Sequence, residues 1–502
     1  MRRRDFLSAA AGMAGLLMTR RLNAAPWGQA PDARAEELLL PPGLRAEKVL
    51  EVFLYGGLGP FESFYVVEEY GRPEDPDFPD QQWYLFQDQH DKVFEKCGLT
   101  GYPLLQPFAL DSLGKQVNLG PLVLPLRTRP DILKRMRVLV HRHALEPHEA
   151  AIPYSLSGQR LGSPRMAGSG SAVQRYFMDR DTTGRRVPYS YVLYTDKEIP
   201  TDNLRAASSV GLHPGAARPL DLRISAATDF QAMLSRANLG GQRAQYDALT
   251  AYYVAQAQQR YTYQGAEVRS RGLGDHVFAT QTLKNAPELQ ALFPEEVTRV
   301  IGGDQCGQRS PEDTTAMGLT MATHLLTHPD TPARYVTVVD GGMIPAAGGG
   351  GYDVHSRHLP DMTRNITSCL ESLISHINEP GEDDPTKIDL DTTMVVLTTE
   401  FGRTPFEQAH SLKGTNHHPY GYVNVLIGGP VGPDQAGVLG AIGPDGWADH
   451  YLTPKELRAA ILAAMGIYPF SQESFAIGDL RDLHYEKDGL LWLNEIVLGR
   501  KS

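Results

Sequence analysis

Six short apolar runs constrain the fold of this chain more than any other feature of its sequence. They span residues 49–55, 138–140, 191–194, 336–339, 394–397 and 423–427. Most are rich in valine, which is typical of strands buried on both faces of a parallel or mixed sheet. Helical patterns lie between the runs, so the sequence predicts an α/β fold.

Two amphipathic patterns predict helices that pack on this sheet. From residue 359 to 377 apolar residues recur at steps of three and four, which places one apolar stripe along a helix. Leu457, Ile461 and Met465 predict a second helix, and Thr453 and Pro454 suit its N-cap and first turn. Between about 225 and 330 the chain is rich in Ala, Gln, Arg and Leu, with few strand signals. We expect a helical insertion or cap there.

The first residues resemble an export signal. Arg3 and Arg4 precede a mildly apolar run over residues 8–18. This run is too short for a membrane-spanning helix, which needs about 20 apolar residues, and it is typical of a signal-peptide core. The sequence therefore predicts export by the twin-arginine route and a periplasmic or secreted protein. We expect a signal peptide over 1–25, an irregular lead-in over 26–47 and the α/β domain over 48–500.

Charge and composition exclude several classes of partner. The formal net charge is −11, and removal of a signal that holds five Arg against one Asp makes the chain more acidic. An acidic surface argues against nucleic acid or anionic lipid as the main partner. No later segment is apolar enough to span a bilayer, and no cysteine stands directly after the signal region to carry a lipid, so we expect no stable membrane anchor.

The three cysteines, Cys97, Cys306 and Cys369, are widely separated and lack CxxC spacing. They form neither a disulfide framework nor a thiolate metal cluster, although one bridge between two of them stays open.

Most of the candidate chemistry lies in three polar loops near predicted strands. A glycine-rich stretch at 348–351 precedes the first loop, and the candidates are Asp353, His355, His358, Glu400, His417 and His418. Open α/β sheets bind ligands at the carboxyl ends of their strands, where the loops bearing Asp353 and Glu400 should lie. Imidazoles and carboxylates that converge there would suit Zn²⁺, or Mn²⁺ if oxygen ligands dominate. Taken singly, each histidine favours a hydrogen-bonded structural role over a role as a ligand.

Several motifs resemble those of one secreted bacterial family. Residues 399–405 read Thr-Glu-Phe-Gly-Arg-Thr-Pro, 416–419 read Asn-His-His-Pro, and 426–429 read Leu-Ile-Gly-Gly. Residues 351–355 resemble the family's Gly-Trp-Asp-Thr-His with Tyr for Trp, and residues 55–64 resemble its opening glycine pair and acidic residue, with Glu62 for Asp. From about residue 48 to 470, the chain thus resembles the family called domain of unknown function 1501, of the alkaline phosphatase-like superfamily, which also contains the sulfatases.

The resemblance implies a three-layer α/β/α sandwich with a mostly parallel mixed sheet and metal ligands at the strand ends. It implies that Asp353, His355 and either His417 or His418 hold one metal. Glu400 takes the position of the Asp in the superfamily's Asp-His pair, and Glu62 is implied as a ligand from the first strand. His358 is a spare candidate, because the spacing from Asp to His differs between branches of the superfamily.

Two departures bear on catalysis. Phe401 stands where the histidine of the Asp-His pair is expected, so a second metal would lose a ligand. Residues 148–158 resemble the sulfatase segment that begins at the nucleophile, and this alignment puts His148 in the place of a Ser, Thr or Cys. An imidazole there can bind metal, act as a general base or form a phosphohistidine. His141, His143 and Glu146 are nearby candidates, for which a solvated polar loop is an equal explanation.

The sequence thus predicts a metal-dependent hydrolase of phosphate or sulfate esters, acting on a small molecule or a saccharide. In the expected mechanism Asp353, His355 and His418 hold one cation that activates a water. His148 acts as base or further ligand, and Arg403 neutralises an anionic substrate group, or instead only pairs with a carboxylate and shapes its loop. Zn²⁺ is the expected cofactor, with Mn²⁺ and Ca²⁺ as alternatives. The competing interpretation is a non-catalytic secreted protein that binds a glycan or a protein partner.

Overall fold

The computed structural model describes residues 27–71, 95–98, 100–160, 163, 168–178, 180, 191–195, 220–223, 240–263, 293–294, 296–297, 299, 303–305, 308–310, 313–342, 351–406, 414–471 and 474–500. The twin-arginine segment and most of the glycine-rich stretch before Asp353 lie outside these residues.

An eight-stranded sheet forms the centre of the described part of the chain. Its strands, β1 to β8 in chain order, are Lys48–Leu54, Met136–His141, Tyr191–Thr195, Leu220–Arg223, Tyr335–Asp340, Thr393–Thr398, Tyr422–Gly428 and Gly437–Leu439. Their order across the sheet is β8-β2-β7-β6-β1-β5-β3-β4. All neighbours pair in parallel except β7, which is antiparallel to both β6 and β2. Because β7 runs the opposite way, the chain enters it at the edge where the other strands end.

Ten α-helices accompany the sheet in the described residues. In chain order α1 to α10 are Ala33–Glu37, Leu124–Arg127, Pro130–Leu133, His148–Ser157, Ser169–Met178, Arg243–Tyr263, Thr314–Thr327, His358–Ser375, Pro454–Ala464 and Glu486–Trp492. Shorter turns of 3₁₀ or π helix span Pro42–Leu44, Pro60–Glu62, Glu68–Gly71, Pro121–Val123, Gly240–Gln242, Ile477–Asp479 and Leu493–Val497.

Four small antiparallel strand pairs lie outside the main sheet in the described residues. They pair Gln106–Leu110 with Gln116–Leu119, Gly303–Gln305 with Gln308–Ser310, Gly402–Arg403 with His417–His418, and Ala441–Ile442 with Ala448–His450. The third pair is the one that bears candidate site residues.

Helices cover both faces of the sheet, which gives three layers. On β1, Leu50 and Val52 belong to the core cluster that contains residues of α7 and α8, whereas Val49 belongs to the cluster that contains residues of α5 and α9. Alternate side chains of a strand point to opposite faces, so a strand buried on both sides is mostly apolar. This is why β1, β2, β5, β6 and β7 read as mostly apolar runs, with single polar residues such as Glu51, Thr337 and Asn424.

The predicted strands and helices are confirmed within one to three residues at their ends. The expected helix from 359 to 377 is α8, and the second is α9, whose N-cap is Thr453 and whose first residue is Pro454. Short edge strands such as β8 were not predicted, because three residues carry too little pattern. No helix among the described residues is long and apolar enough to cross a membrane.

The expected insertion at 225–330 is described only in part. Its described residues include helix α6, one of the small strand pairs and the whole of α7, which packs in the core cluster. The lead-in contains the short helix α1, and its Leu39 and Leu40 are buried. Of the cysteines, Cys97 is disulfide-bonded and Cys369 is a free, buried thiol. This agrees with the single bridge that the sequence left open.

One buried ion pair crosses from the middle of the sheet to α9. Arg458 Nη2 lies 2.6 Å from Glu51 Oε1, and both side chains are at most 2% exposed. Glu51 also accepts hydrogen bonds from the hydroxyls of Tyr335, Thr337 and Thr398 at 2.8, 3.3 and 2.8 Å. Arg458 Nε donates to the backbone oxygen of Ser155 in α4 at 2.6 Å. The pair therefore ties α9, the sheet and α4 together.

Candidate metal centre

The candidate residues gather at the carboxyl edge of the sheet. Glu400 follows the end of β6 after Thr399, Gly56 follows the end of β1 after Tyr55, and the segment bearing Asp353 follows β5 after a gap in the described residues. Tyr352 anchors that segment, because its N–H donates to Tyr55 O at 2.7 Å and its hydroxyl donates to Asp340 Oδ2 at 2.6 Å. The structure therefore places these segments at the carboxyl ends of the strands, where the sequence predicts them.

Asp353 lies at the centre of three imidazoles. Its Oδ1 is 3.0 Å from His355 Nε2 and 3.2 Å from His417 Nε2, and its Oδ2 is 3.3 Å from His148 Nε2. The Nε2 atoms of His355 and His417 are themselves 3.2 Å apart. One ligand atom from each of His148, Asp353 and His417 lies within 4.8 Å of the others. A carboxylate and imidazole nitrogens that converge in this way suit a cation such as Zn²⁺.

Glu400 lies behind His148. Its Oε1 is 2.8 Å from His148 Nδ1 and accepts a hydrogen bond from the Gly56 N–H at 2.7 Å. The carboxylate is fully buried, and it fixes the ring of His148 from the side opposite Asp353. Glu400 therefore contacts Nδ1 of His148, whereas Nε2 of the same ring faces Asp353. A carboxylate in this position is the usual outer-shell partner of a metal-binding histidine.

Phe401, which stands where the histidine of the superfamily's Asp-His pair is expected, packs against the candidate ligands. The ring is fully buried and packs on His417 and His148, with centroids 4.4 and 5.0 Å apart. Tyr55 stacks on His148 from a centroid distance of 5.5 Å. These aromatic rings fix the two imidazoles in place but offer no ligand atom.

Arg403 is fully buried and contacts other parts of the loop structure. Its Nη2 contacts both Asp353 Oδ1 and Gly56 O, and its Nη1 donates to Thr415 O at 3.1 Å. The terminal nitrogens are thus engaged inside the protein. Of the two roles expected for Arg403, these contacts match the one in which it pairs with a carboxylate and shapes its loop.

Charge in the cluster is balanced within the protein. Burial acts to raise the pKa of Asp353, but the hydrogen bonds from His148, His355 and His417 and the charge of Arg403 outweigh it and hold the pKa far below its usual value. Burial likewise acts to lower the pKa of His148, yet its hydrogen bonds to Asp353 and Glu400 raise that pKa to about 9. In His417 burial dominates, and the pKa is lowered. A protonated His148 therefore balances the second carboxylate, and a ligand role for its Nε2 would require loss of the proton on that nitrogen.

The two neighbouring histidines point in different directions. In the short strand pair Arg403 is opposite His417, and Gly402 is opposite His418. Successive residues of a strand face opposite sides, so only one can reach Asp353. His417 does, whereas His418 Nε2 is 2.6 Å from Gly446 O. The expected ligand set named His418, and the place beside Asp353 and His355 belongs to His417.

Glu62 lies beside another of the candidates. Its Oε1 is 3.4 Å from His358 Nε2, and both side chains are at most 1% exposed. Neither residue belongs to the ligand group around Asp353. His358, the spare candidate, and Glu62, the ligand implied from the first strand, thus form a pair of their own.

His141 and His143 are buried rather than solvated. His143 Nδ1 accepts from Leu145 N–H at 3.1 Å, so its Nε2 donates to Glu400 O at 2.7 Å. Both nitrogens of His141 lack a hydrogen-bond partner among the described residues. Glu146 is exposed. His143 supports the Glu400 backbone, and none of the three reaches the ligand group around Asp353.

His141 should make the protein less stable in acid. Burial, helped by the nearby charges of His143 and Arg458, lowers the pKa of His141 to about 3. Between the unfolded value near 6.5 and this value only the unfolded chain binds the proton, so stability falls as pH falls. From pH 7.5 to 5 the expected loss from this group is about 2 kcal/mol. Urea unfolding of wild type and His141→Leu at both pH values measures it; equal losses in the two proteins would contradict this assignment.

Two threonines that complete the site were not among the candidates predicted from the sequence. Thr415 accepts from Arg403 through its backbone oxygen and lies 2.8 Å from His358 Nδ1 through its hydroxyl. Thr399 donates its hydroxyl to Leu54 O at 2.9 Å and lies 3.3 Å from Glu400 Oε2. Thr399 and Thr415 lie close in sequence to Glu400 and His417, and this proximity was the only indication that they belong to the site. Threonine is too common in loops for proximity alone to identify it.

A family model described as protein of unknown function (DUF1501) matches residues 139–484 of this chain. A search of the curated proteins found no match. The match covers every candidate residue except Glu62, which lies before its start. Because the match spans more than half of the 502 residues, the chain belongs to the DUF1501 family.

Proposed function

We propose that this protein is an exported, metal-dependent hydrolase of phosphate or sulfate esters. The observation that carries the proposal is the convergence of His148, Asp353 and His417, whose ligand atoms lie within 4.8 Å of one another. These residues come from three distant parts of the sequence, and their ligand atoms meet at one point, as the ligands of a metal do. The mostly parallel sheet with helices on both faces also supports membership of the alkaline phosphatase-like superfamily.

The donor set fits a divalent cation. His148, Asp353 and His417 would hold it, with His355 as a fourth donor 3.0 Å from Asp353. Imidazole with one carboxylate favours Zn²⁺ over harder cations, and Mn²⁺ is the alternative. When bound, such a cation polarises an ester oxygen and makes water a stronger nucleophile.

The remaining residues would position and balance this centre. Glu400 fixes the ring of His148, as outer-shell carboxylates do for metal-binding histidines. Arg403 contacts Asp353 and adds to the effect of the three imidazoles that keep this carboxylate ionised, so it acts on the centre through Asp353 rather than on the substrate. With His148 in the place of a hydroxyl nucleophile, we propose direct attack by water on the ester, without a covalent enzyme intermediate.

One observation favours a second candidate function, a secreted binding protein with a structural metal. The terminal nitrogens of Arg403 are engaged by Asp353, Gly56 and Thr415, so this guanidinium does not offer the bidentate contact that an anionic ester would use. In this alternative the centre holds the loops together, and a glycan or a protein binds elsewhere.

Turnover distinguishes the two candidates. Purified mature protein, stripped with a chelator and reloaded with Zn²⁺, Mn²⁺ or Ca²⁺, is assayed on a panel of phosphate and sulfate esters, including sulfated and phosphorylated saccharides. We expect hydrolysis that depends on the metal and is lost in Asp353→Asn. Metal binding without hydrolysis of any ester in the panel would favour the binding protein.

Export is proposed from the paired arginines, and the disulfide at Cys97 supports it, because disulfides persist mainly outside the reducing cytoplasm. Changing Arg3 and Arg4 together to lysine should retain the uncleaved precursor in the cytoplasm, since the route reads the arginine pair. Fractionation of a bacterial host and immunoblotting measure this. Undiminished export of the double variant would exclude the twin-arginine route.

A further inference from the structure

A ladder of aromatic rings and guanidinium groups lies beside the candidate metal centre. Its members, in order, are Tyr420, Trp447, Arg142, Tyr451 and Arg481. The rings of Tyr420 and Trp447 stack with centroids 4.2 Å apart and planes 5° from parallel. The Cζ atom of Arg142 lies 4.9 Å from the ring centroid of Trp447 and 5.2 Å from that of Tyr451. The Cζ atom of Arg481 lies 3.9 Å from the Tyr451 centroid, so each guanidinium is held against a ring.

The two guanidinium groups of the ladder are also fixed by the backbone, and neither is neutralised. Arg142 Nη1 donates to Ala448 O at 3.0 Å, and Arg481 Nη2 donates to Tyr451 O at 2.7 Å. Within the ranges that the structure describes, neither group forms an ion pair with a carboxylate. Arg481 is exposed and Arg142 is half-buried. An ordered guanidinium without a carboxylate partner is prepared to bind an anion through two of its N–H groups.

The ladder begins next to the Asp353 centre. The ring of Tyr420 lies 6.0 Å from the ring of His418, which follows the candidate ligand His417 in the chain. Arg403, in contrast, has its terminal nitrogens engaged inside the protein. The ladder therefore supplies the cationic groups that an anionic ligand near the centre can reach.

Other side chains indicate which kind of anion the ladder suits. Trp447 is 40% exposed and offers apolar surface to a ligand. Asp445 and Asp449, on the same hairpin, are exposed carboxylates. They accept hydrogen bonds from hydroxyl groups and repel a densely charged chain such as a nucleic acid. The ligand that fits carries separated anionic groups, hydroxyls and apolar C–H surface, and this is the composition of an acidic saccharide.

We propose that the ladder binds an acidic saccharide, with carboxylate or sulfate groups on its sugar rings. Arg142 and Arg481 each bind one of these groups, and the exposed part of Trp447 packs against C–H groups of a sugar. The inference deepens the proposed function by naming what lies beside the ester that is cleaved. Its claim that this saccharide is the substrate rests on that function, whereas the binding itself does not.

Binding is measured with acidic saccharides of known composition. Oligogalacturonate and dextran sulfate are titrated calorimetrically into the mature protein, as purified and after chelation, with neutral dextran and poly-glutamate as comparisons. Wild type should bind both acidic saccharides more tightly than either comparison. Arg481→Gln should weaken this binding about tenfold, because a charge-assisted hydrogen bond is lost. Arg481→Lys should recover it only in part, because lysine keeps the charge without the planar fork.

Arg34→Gln is the matched control, because it removes one positive charge from an exposed arginine of α1, outside the ladder. It should bind the acidic saccharides as wild type does. Circular dichroism checks that each variant folds, and Trp447→Ala, which should also weaken binding, decides the result if Arg481→Gln does not fold.

The proposal is overturned if folded Arg481→Gln binds as tightly as wild type, or if Arg34→Gln weakens binding equally. Tighter binding of poly-glutamate would also overturn it and assign the ladder to an acidic protein partner. The hydrolase proposal fails separately: saccharide binding that depends on Arg481, without hydrolysis of any ester, would keep the ladder site and count against turnover alone.

Discussion

Replacing His417 by Gln is expected to remove the cation from the Asp353 centre, whereas the same change at His418 leaves the cation bound. His417 Nε2 lies 3.2 Å from both Asp353 Oδ1 and His355 Nε2, and His418 Nε2 lies 2.6 Å from Gly446 O. Loss of an outer-shell partner costs about 10–100-fold in metal affinity, and loss of a ligand should cost more. Zn²⁺ titration in competition with a chromophoric chelator measures both affinities.

The pair of variants carries its own control, because adjacent histidines are changed in the same way. If affinity at the Asp353 centre falls equally in both, the change reports a disturbed strand pair rather than a lost ligand. If affinity is unchanged in His417→Gln, the proposed centre does not hold metal through this residue, and the hydrolase proposal loses its main support.

Breaking the buried ion pair between Glu51 and Arg458 should destabilise the fold more than any other single change considered. Arg458→Met removes the cation beside a carboxylate that is 2% exposed, and leaves it only hydroxyl donors. Removal of one member of a buried pair costs about 3–5 kcal/mol. Urea unfolding at pH 7.5 measures the loss, and a loss below about 1 kcal/mol would contradict it.

The matched control replaces both partners. In the double variant Glu51→Gln and Arg458→Met no buried charge is left unpaired, so much of the lost stability should return. If the double variant is no more stable than Arg458→Met, the cost lies in packing against Ser155 and the sheet rather than in the unpaired carboxylate.

The sequence predicted the strands well because their burial on both faces leaves a plain signal. The run at 394–397 reads as apolar because Met394 and Val396 face one core cluster while Val395 and Leu397 face the other. A surface-exposed strand would have alternated. Short strands at the sheet edge, such as β8, lack that signal, since three half-buried residues are compatible with any loop.

The candidate site was predicted as a set of residues and not as an arrangement. The resemblance left His417 and His418 as alternative ligands and the expected mechanism used His418, and only the register that places Arg403 opposite His417 distinguishes them. It also grouped Glu62 with the ligands around Asp353, whereas in the fold Glu62 lies against His358. Such choices depend on how distant loops meet, which no local pattern encodes.

Helix α4 connects the candidate centre to the interior at two places. Its first residue, His148, contacts Glu400, and near its other end Ser155 donates its hydroxyl to Thr399 O at 2.8 Å and accepts from Arg458 through its backbone. Thr399 and Glu400 are consecutive, so one short stretch of chain fixes the helix at both points. The loops around the centre can therefore change while the imidazole of His148 stays aligned, because its position depends on α4 and on residues 399 and 400.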